Sequence, residues 1–303
     1  MAALLAGTAD GLVEVMPDGN RAPAFAAGRS VFALAAGRSA SWAIVDGTEV
    51  WRFEDGGWRL RAEAEGPPLT CLLPTAAGLL VGTAEAHLAR LAGGRLEPLP
   101  SFDEVEGRDS WYTPWGGPAD TRWLSAAADS TLYANVHVGG IVASTDGGGT
   151  WRQTGLDLAT DVHQVLAGAA PGLVLAPCAE GLAVSHDEGD TWRIEDAGLH
   201  ATYCRAVAVA GDTVMVSASS GPSGDRSTLY RRPLHADGPF ERCRARLPEW
   251  FDGNIDTGCL AATGATVAVA TPSGEVFMSE DQAATWRQLA YGLPGVHCLA
   301  FAL

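Results

Sequence analysis

Lysine is absent from this 303-residue sequence, in which all 20 basic residues are arginine. Charged residues make up only 18% of the chain and hydrophobic residues 47%, so a large apolar core is expected and extensive disorder is not. With 36 acidic residues, the formal net charge is −16. Such a surface repels phosphate backbones and anionic lipid headgroups, which argues against nucleic acids and membrane surfaces as partners.

Long hydrophobic runs are also absent. No apolar stretch approaches the roughly 18 residues that a membrane helix needs. Residues 1–7 contain no basic residue and about six apolar ones, fewer than the roughly 7–15 of a secretory signal, so the expected location is the cytoplasm. CxxC and zinc-finger spacings are missing too, so the six cysteines are expected to be free thiols.

Three segments align without gaps on the pattern S-x-D-x-x-x-T-W, around Asp146, Asp187 and Asp281. In this pattern the carboxylate accepts backbone N–H groups within a tight turn, and the Trp packs between adjacent sheets. The first two Asp residues are 41 residues apart and the last two are 94 apart, which spans two blades with a degenerate turn near Asp237. A weaker version of the pattern surrounds Asp55. Four-stranded blades of roughly 40–50 residues are typical of β-propellers.

Short apolar segments form a second repeat along the chain, and their number indicates the number of blades. Seven segments are predicted as innermost strands: residues 30–35, 69–73, 122–127, 163–167, 204–209, 257–262 and 297–302. The chain opens with a predicted second strand, residues 3–6, and ends with an inner strand, residues 296–303. We therefore expect an all-β, single seven-bladed propeller over residues 1–303. Pairing of its C-terminal strand with the N-terminal strands would close the ring and remove the sheet edges.

The expected strand order sorts the loops onto two faces. The turns between third and fourth strands carry the repeated Asp residues, which are read as structural. The connections leading into the inner strands lie on the opposite face, together with the turns between second and third strands. Polar and aromatic residues gather on this second face in blades four to seven, and long loops of this kind are commonly functional. The candidate ligand-binding residues are Trp111, Trp115, Arg122, Asn135, Asp161 and Asn254.

Three histidines on this face, His137, His163 and His200, come from consecutive stretches of the chain. Converging imidazoles suit Zn²⁺, Fe²⁺ or Cu²⁺, and Asp161 or Asp256 would complete or orient the set. The sequence thus indicates a divalent transition metal as a candidate cofactor, bound by the three histidines. The alternative is that each histidine only hydrogen-bonds a loop, and the sequence leaves both open.

Through its three S-x-D-x-x-x-T-W segments the whole chain resembles the sialidase-like Asp-box (BNR repeat) propeller superfamily. Segments 114–120, 136–140 and 254–257 are similar to uncharacterised single-domain bacterial WD40/YVTN/BNR-like repeat proteins. Resemblance to sialidases would imply an arginine triad for a substrate carboxylate, a Tyr/Glu nucleophile pair and an Asp that acts as an acid. The candidate catalytic residues on the rim are Tyr203, Arg205 and Asp256. The Arg-Ile-Pro-type motif of sialidases is absent, and seven blades are counted rather than six, which disfavours sialidase activity.

Two functions remain open, and the sequence does not decide whether the protein is an enzyme. The first is binding of a small molecule, with metal-dependent catalysis as one form of it, on the rim of blades four to seven. The second is a non-catalytic protein-interaction or assembly scaffold, in which the aromatic loop 111–115 contacts a protein partner. Resemblance to the photosystem II stability factor, a propeller that serves as an assembly scaffold, supports this second function.

Overall fold

The computed structural model describes residues 3–37, 40–113 and 115–302, which form seven four-stranded antiparallel sheets. Pro114 and Leu303, which belong to segments singled out above, lie outside the described residues. From the innermost strand outwards, blade one contains β28 (Val296–Phe301), β1 (Leu4–Thr8), β2 (Gly11–Val15) and β3 (Arg21–Phe25). Blade two contains β4 (Val31–Ala36), β5 (Ser41–Val45), β6 (Glu49–Glu54) and β7 (Gly57–Glu63), and blade three β8 (Leu69–Thr75), β9 (Gly78–Thr83), β10 (Leu88–Ala92) and β11 (Arg95–Pro98).

The remaining blades follow the same order along the chain. Blade four contains β12 (Thr121–Ala126), β13 (Leu132–Val136), β14 (Gly140–Ser144) and β15 (Arg152–Gln153), and blade five β16 (Leu166–Ala167), β17 (Val174–Cys178), β18 (Gly181–Ser185) and β19 (Arg193–Glu195). Blade six contains β20 (Val207–Ala210), β21 (Thr213–Ala218), β22 (Thr228–Pro233) and β23 (Glu241–Arg242), and blade seven β24 (Leu260–Thr263), β25 (Thr266–Ala270), β26 (Val276–Ser279) and β27 (Arg287–Ala290). Helical structure in the described ranges is confined to α1 (Pro100–Asp103) and the 3₁₀ turns Ala84–Ala86 and Arg108–Ser110. None of these helices is long and apolar enough to cross a membrane.

The C-terminal strand closes the ring. β28 pairs antiparallel with β1, so that Leu4 faces Phe301 and Ala6 faces Leu299. The same strand contacts the innermost strands β4 and β24 of the neighbouring blades. The structure therefore confirms the predicted all-β, seven-bladed propeller.

The hydrophobic core lies between the blades. The buried apolar residues of the described chain form seven clusters, one between each pair of neighbouring blades. Strands buried on both faces explain the continuous apolar segments of the sequence. In β21, for example, Val214, Met215 and Val216 are all at most 1% exposed. Each blade is stable because its two neighbours cover both of its faces.

The three S-x-D-x-x-x-T-W segments form turns with one shared set of hydrogen bonds between third and fourth strands. In blade five, the Ser185 hydroxyl donates to Asp187 Oδ1 at 2.8 Å, and the backbone N–H and hydroxyl of Thr191 donate to its two oxygens at 2.8 and 2.6 Å. Asp146 and Asp281 accept the same three bonds in blades four and seven. The repeated polar residues therefore hold the turns.

All six cysteines are buried and unpaired, and two of them fill narrow spaces beside inner strands. Cys71 lies opposite Gly82 in the ladder, and Cys298 lies opposite Gly7. A Cβ atom on either glycine would lie only 2.5 Å from the facing sulfur. Burial raises the pKa of the Cys71 thiol to about 12, so the group is neutral and packs as a small apolar side chain.

Candidate functional site

In four innermost strands the β-ladder pairing is interrupted at the second residue. The four unpaired residues line a cavity. Ladder pairing skips Phe32, Thr70, Arg122 and His297. A bulge leaves one residue outside the ladder and redirects its side chain. All four residues line one cavity of about 350 Å³. Because the innermost strands surround the propeller axis, this axial cavity lies at the axis, on the face opposite the Asp turns.

In blades five to seven the ladder begins three residues later than predicted, at Leu166, Val207 and Leu260. Some of the preceding residues also form hydrogen bonds across blades. The Cys204 N–H donates to the Cys178 carbonyl at 3.0 Å. The Thr257 hydroxyl lies 2.9 Å from two carbonyl oxygens, those of His163 and Arg205. These cross-blade bonds fix the segments that carry the polar side chains beside the axial cavity.

A chain of polar side chains runs along this edge from blade six to blade four. The Tyr203 hydroxyl lies 3.1 Å from His163 Nε2, and Asp161 Oδ1 lies 3.4 Å from the same nitrogen. Asp161 Oδ1 also lies 2.8 Å from His137 Nε2. The ring centroids of the two histidines are 5.6 Å apart. The structure thus brings two of the three predicted metal-binding histidines together with the predicted Asp161.

Two arginines extend the chain to blade seven. The Arg122 Nη1 atom lies 3.3 Å from His137 Nε2, and its Nη2 donates to Asp256 Oδ1 at 3.3 Å. Arg205 Nε lies 3.0 Å from the same carboxylate oxygen. Seven residues predicted separately from the sequence therefore form one connected cluster, called the axial cluster below: Arg122, His137, Asp161, His163, Tyr203, Arg205 and Asp256.

Burial and pairing set the protonation of the axial cluster. Burial alone would raise the pKa of Asp161, but the hydrogen bonds and charges of His137 and His163 outweigh it and hold that pKa well below its usual range. Burial lowers the pKa of His163, against the opposing pull of Asp161, and raises the pKa of Tyr203. At neutral pH Asp161 is therefore ionised, while the His163 imidazole and the Tyr203 phenol are neutral.

The aromatic loop leading into blade four divides into an exposed and a buried part. The Trp115 side chain is 65% exposed, and its ring lies 5.3 Å from that of His137. Trp111, predicted to bind ligand, is only 8% exposed and packs against Phe102 in the core between blades three and four. The loop folds back at Trp111 and uses this ring to fill the gap between blades, so the structure does not place it on the exposed rim.

His200 does not join the other two histidines, so the structure does not bring the predicted three-histidine set together. Its Nδ1 atom lies 2.9 Å from the Tyr230 hydroxyl, and its ring packs 4.9 Å from that of Trp250. Within the described residues, the only group of His, Cys, Asp and Glu side chains close enough to hold a metal ion is His137, Asp161 and His163. The carboxylate takes the place that the prediction gave to His200.

Two asparagine side chains that were predicted to bind a ligand donate hydrogen bonds to backbone carbonyls. The Asn135 side chain is fully buried and donates to the Val162 carbonyl at 3.1 Å, next to His163. The Asn254 amide donates to the carbonyls of Gly221 and Pro222. Both contacts position loops of neighbouring blades.

Residues of the axial cavity that sequence reasoning missed include Phe32, Thr70 and His297, because blades one to three were judged poor in functional residues. Their position along the inner strands could have identified them. Each lies at the same place in its inner strand as Arg122, one residue after the strand begins. Burial lowers the pKa of His297, against the opposing charge of Asp256.

Comparison with known proteins identifies the fold and does not identify an activity. No family model and no curated protein matches the sequence. The structure of YCF48 from Cyanidioschyzon merolae matches with a TM-score of 0.61 at 14% identity, covering 98% of this chain and 90% of that one. YCF48 bound to D1 peptide matches with a TM-score of 0.62 at 11% identity, covering 91% and 85%. A GH74 enzyme from Niastella koreensis matches with a TM-score of 0.58 at 13% identity, covering 94% and 46%.

These neighbours are seven-bladed β-propellers, and the protein is a seven-bladed β-propeller with a polar cluster beside its axial cavity. At identities of 11–14% the likeness shows the fold alone.

Proposed function

We propose that the protein binds a small organic anion, such as a carboxylate, in the axial cavity. The observation that carries the proposal is the convergence of two guanidinium groups, Arg122 and Arg205, on the single carboxylate of Asp256. In a chain with net charge −16, two arginines placed together are a local exception to the overall charge. Arg122 lines the cavity, and Arg205 lies beside it through its contact with the lining residue Asp256. Arginine is the side chain best suited to bind carboxylates, because its N–H groups match the two oxygens.

Arg205 supplies the N–H groups that would donate hydrogen bonds to the anion. Its side chain is only 17% exposed, and Asp256 lies beside its Nε atom. Among the described residues no protein group accepts a hydrogen bond from its two terminal nitrogens, and neither nitrogen is buried. These nitrogens are therefore available to an anion that enters beside Asp256.

The cavity suits a ligand with an apolar part as well as an anionic group. Phe32 and Trp123 contribute aromatic surface, while Arg122 and His297 contribute polar groups. The volume of about 350 Å³ lies at the lower end of the range for small-molecule sites, about 300–1,000 Å³. Because burial keeps the Tyr203 phenol neutral, its part in this proposal is hydrogen bonding rather than nucleophilic attack.

The test is calorimetric titration of the purified protein, treated with chelator, with a panel of small mono- and dicarboxylates. Arg205→Ala should weaken binding by about 10- to 100-fold, since hydrogen bonds to charged groups contribute about 1.5–3 kcal/mol. The matched control is Arg244→Ala, which removes an exposed arginine beside blade seven's Asp turn. Equal affinity in wild type and Arg205→Ala would contradict the proposal, as would a panel in which no carboxylate binds.

A second candidate function is protein interaction through the loop that leads into blade four. Tyr112 and Trp115 are 64% and 65% exposed, and aromatic side chains are enriched in binding hot spots. The neighbour YCF48, whose structure was solved with D1 peptide, has the same fold, which supports a peptide as the partner. Tyr112→Ser should then abolish co-purification of a partner from the native host while leaving carboxylate binding unchanged.

We also propose that the protein belongs to the Asp-box superfamily and that it is cytoplasmic. The shared hydrogen bonds of the three Asp turns support membership of the Asp-box superfamily. The cytoplasmic location expected from the N-terminal composition is a prediction that fractionation of the native host would test.

A further inference from the structure

We propose that His137, Asp161 and His163 bind a divalent transition-metal ion, of the zinc or iron(II) type, through two imidazoles and one carboxylate. The inference goes beyond the proposed function, because a metal ion can occupy these ligands with or without an organic anion. It also differs from the three-histidine site expected from the sequence, since Asp161 replaces His200 as the third ligand.

The three ligand atoms are close to the separation that a metal ion requires. One ligand atom from each residue lies within 4.8 Å of the other two. With bonds of about 2.1 Å, neighbouring ligands of one ion lie about 3.0 Å apart in octahedral and about 3.4 Å apart in tetrahedral geometry. Asp161 Oδ1 and His163 Nε2 are 3.4 Å apart, while Asp161 Oδ1 and His137 Nε2 are 2.8 Å apart. The two imidazole nitrogens are held within 4.8 Å, so side-chain rotation would have to bring both rings onto one ion.

The tautomer of His163 makes Nε2 the available ligand atom, which accepts from the Tyr203 hydroxyl at 3.1 Å and would have to exchange that hydroxyl for a metal ion. His163 Nδ1 lies 2.7 Å from the Cys204 carbonyl oxygen, which can only accept, so Nδ1 carries a proton. In the neutral ring Nε2 is then an acceptor, and it lies 3.4 Å from a second acceptor, Asp161 Oδ1. Metal-binding histidines commonly donate their other N–H to a backbone carbonyl in this way.

Arg122 is the group that opposes a cation here. Its Nη1 atom is 3.4 Å from Nδ1 and 3.3 Å from Nε2 of His137. Nearly equal distances to both nitrogens place the guanidinium over the face of the ring rather than along either lone pair. Asp256 pairs with the same guanidinium and offsets its charge. The bound ion would add positive charge beside Arg122 and Arg205, so metal and anion should each tighten the binding of the other.

Other residues offer little competition for the metal. All six cysteines are buried, and burial raises the pKa of thiols such as Cys71, so folded protein presents no thiolate. His200 is engaged by Tyr230. His200→Ala is therefore a matched control, because it removes a histidine of the same rim that lies outside the set.

The experiment is titration of chelator-treated protein with Co²⁺, followed by visible ligand-field absorption, and with Zn²⁺, followed by calorimetry. Wild type and His200→Ala should each bind one ion. Loss of an outer hydrogen-bond partner of a metal ligand already costs about 10–100-fold in affinity, so His137→Ala and Asp161→Asn should each weaken binding by at least about 100-fold. Circular dichroism of each variant establishes that it is folded.

Three results would overturn the proposal: no stoichiometric binding of either ion to wild type, unchanged affinity in folded His137→Ala or Asp161→Asn, or equal loss in His200→Ala. Should His137→Ala fail to fold, Asp161→Asn decides, because it keeps the shape of the side chain. Carboxylate titration of metal-free protein is independent, so failure of the metal site is distinguishable from failure of the anion site.

Discussion

Removal of the C-terminal strand should destroy the cooperative fold, because β28 is the innermost strand of blade one. Val296, Leu299 and Phe301 are 4%, 5% and 9% exposed, and a buried side chain of this kind contributes about 1.5–3 kcal/mol. Truncation after residue 295 therefore removes roughly 5–9 kcal/mol of burial. That loss is comparable with the whole stability of a typical domain, about 5–15 kcal/mol. The edge of β1 is exposed as well, which favours aggregation.

The assay is urea unfolding followed by circular dichroism. A milder variant, Leu299→Ala, should cost about 2–5 kcal/mol through the cavity it leaves between blades seven and one. Leu60→Ala is the matched control, because Leu60 is 40% exposed on the outermost strand of blade two, where truncation should cost much less. If the truncated protein unfolds at the same urea concentration as the full-length chain, the closure of the ring by β28 is refuted.

Two further predictions concern the Asp turns and the crowded inner strands. Asp187→Ala should lower the melting temperature at about pH 6, and the difference should shrink towards about pH 3. Hydrogen bonds from Thr191 and Ser185 lower the pKa of Asp187 from 3.8 to about 2, so its stabilising effect is present above about pH 4 and is lost as the pH falls through about 2. Ligand binding on the opposite face should be unchanged, and its selective loss in folded protein would argue against a structural role. Gly82→Ala should cost about 1–3 kcal/mol by overpacking against Cys71, and a melting curve identical to wild type would show that this contact gives way freely.

The blade count was predictable because its signals are local. A turn such as the one around Asp187 is specified by residues within a span of seven, and its repeat at blade-length intervals reveals the period of the fold. The rim was predictable for a similar reason, because strand direction alternates along the chain. Arg205, Asp256 and His163 all precede inner strands, so topology alone places them on one face.

The exact composition of the site was not predictable, because side-chain direction depends on ladder register. His297 belongs to a strand that the sequence shows clearly, but its direction follows from a bulge opposite β1. His200 and Trp111 are residue types that are common in functional sites. In this structure, however, His200 packs against Trp250 and Trp111 packs against Phe102. Tertiary contacts of this kind leave no trace in the spacing of residues along the chain.

The axial cluster explains why polar residues concentrate on one side of an apolar fold. Both arginines contact Asp256 and the two histidines contact Asp161, so the formal charges of the two arginines and two carboxylates sum to zero. Arg205 is nevertheless left with free terminal N–H groups. A cluster that is balanced in charge but incomplete in hydrogen bonding is suited to receive a ligand.

The most direct test of ligand binding at the axial cluster is a crystal structure with the tightest-binding carboxylate. The account predicts ligand density in the axial cavity, with a carboxylate oxygen about 2.7–3.2 Å from a terminal nitrogen of Arg205. It would be contradicted if the ligand were ordered elsewhere, for instance in the cavity of about 810 Å³ between blades two and three, while the axial cavity held only water.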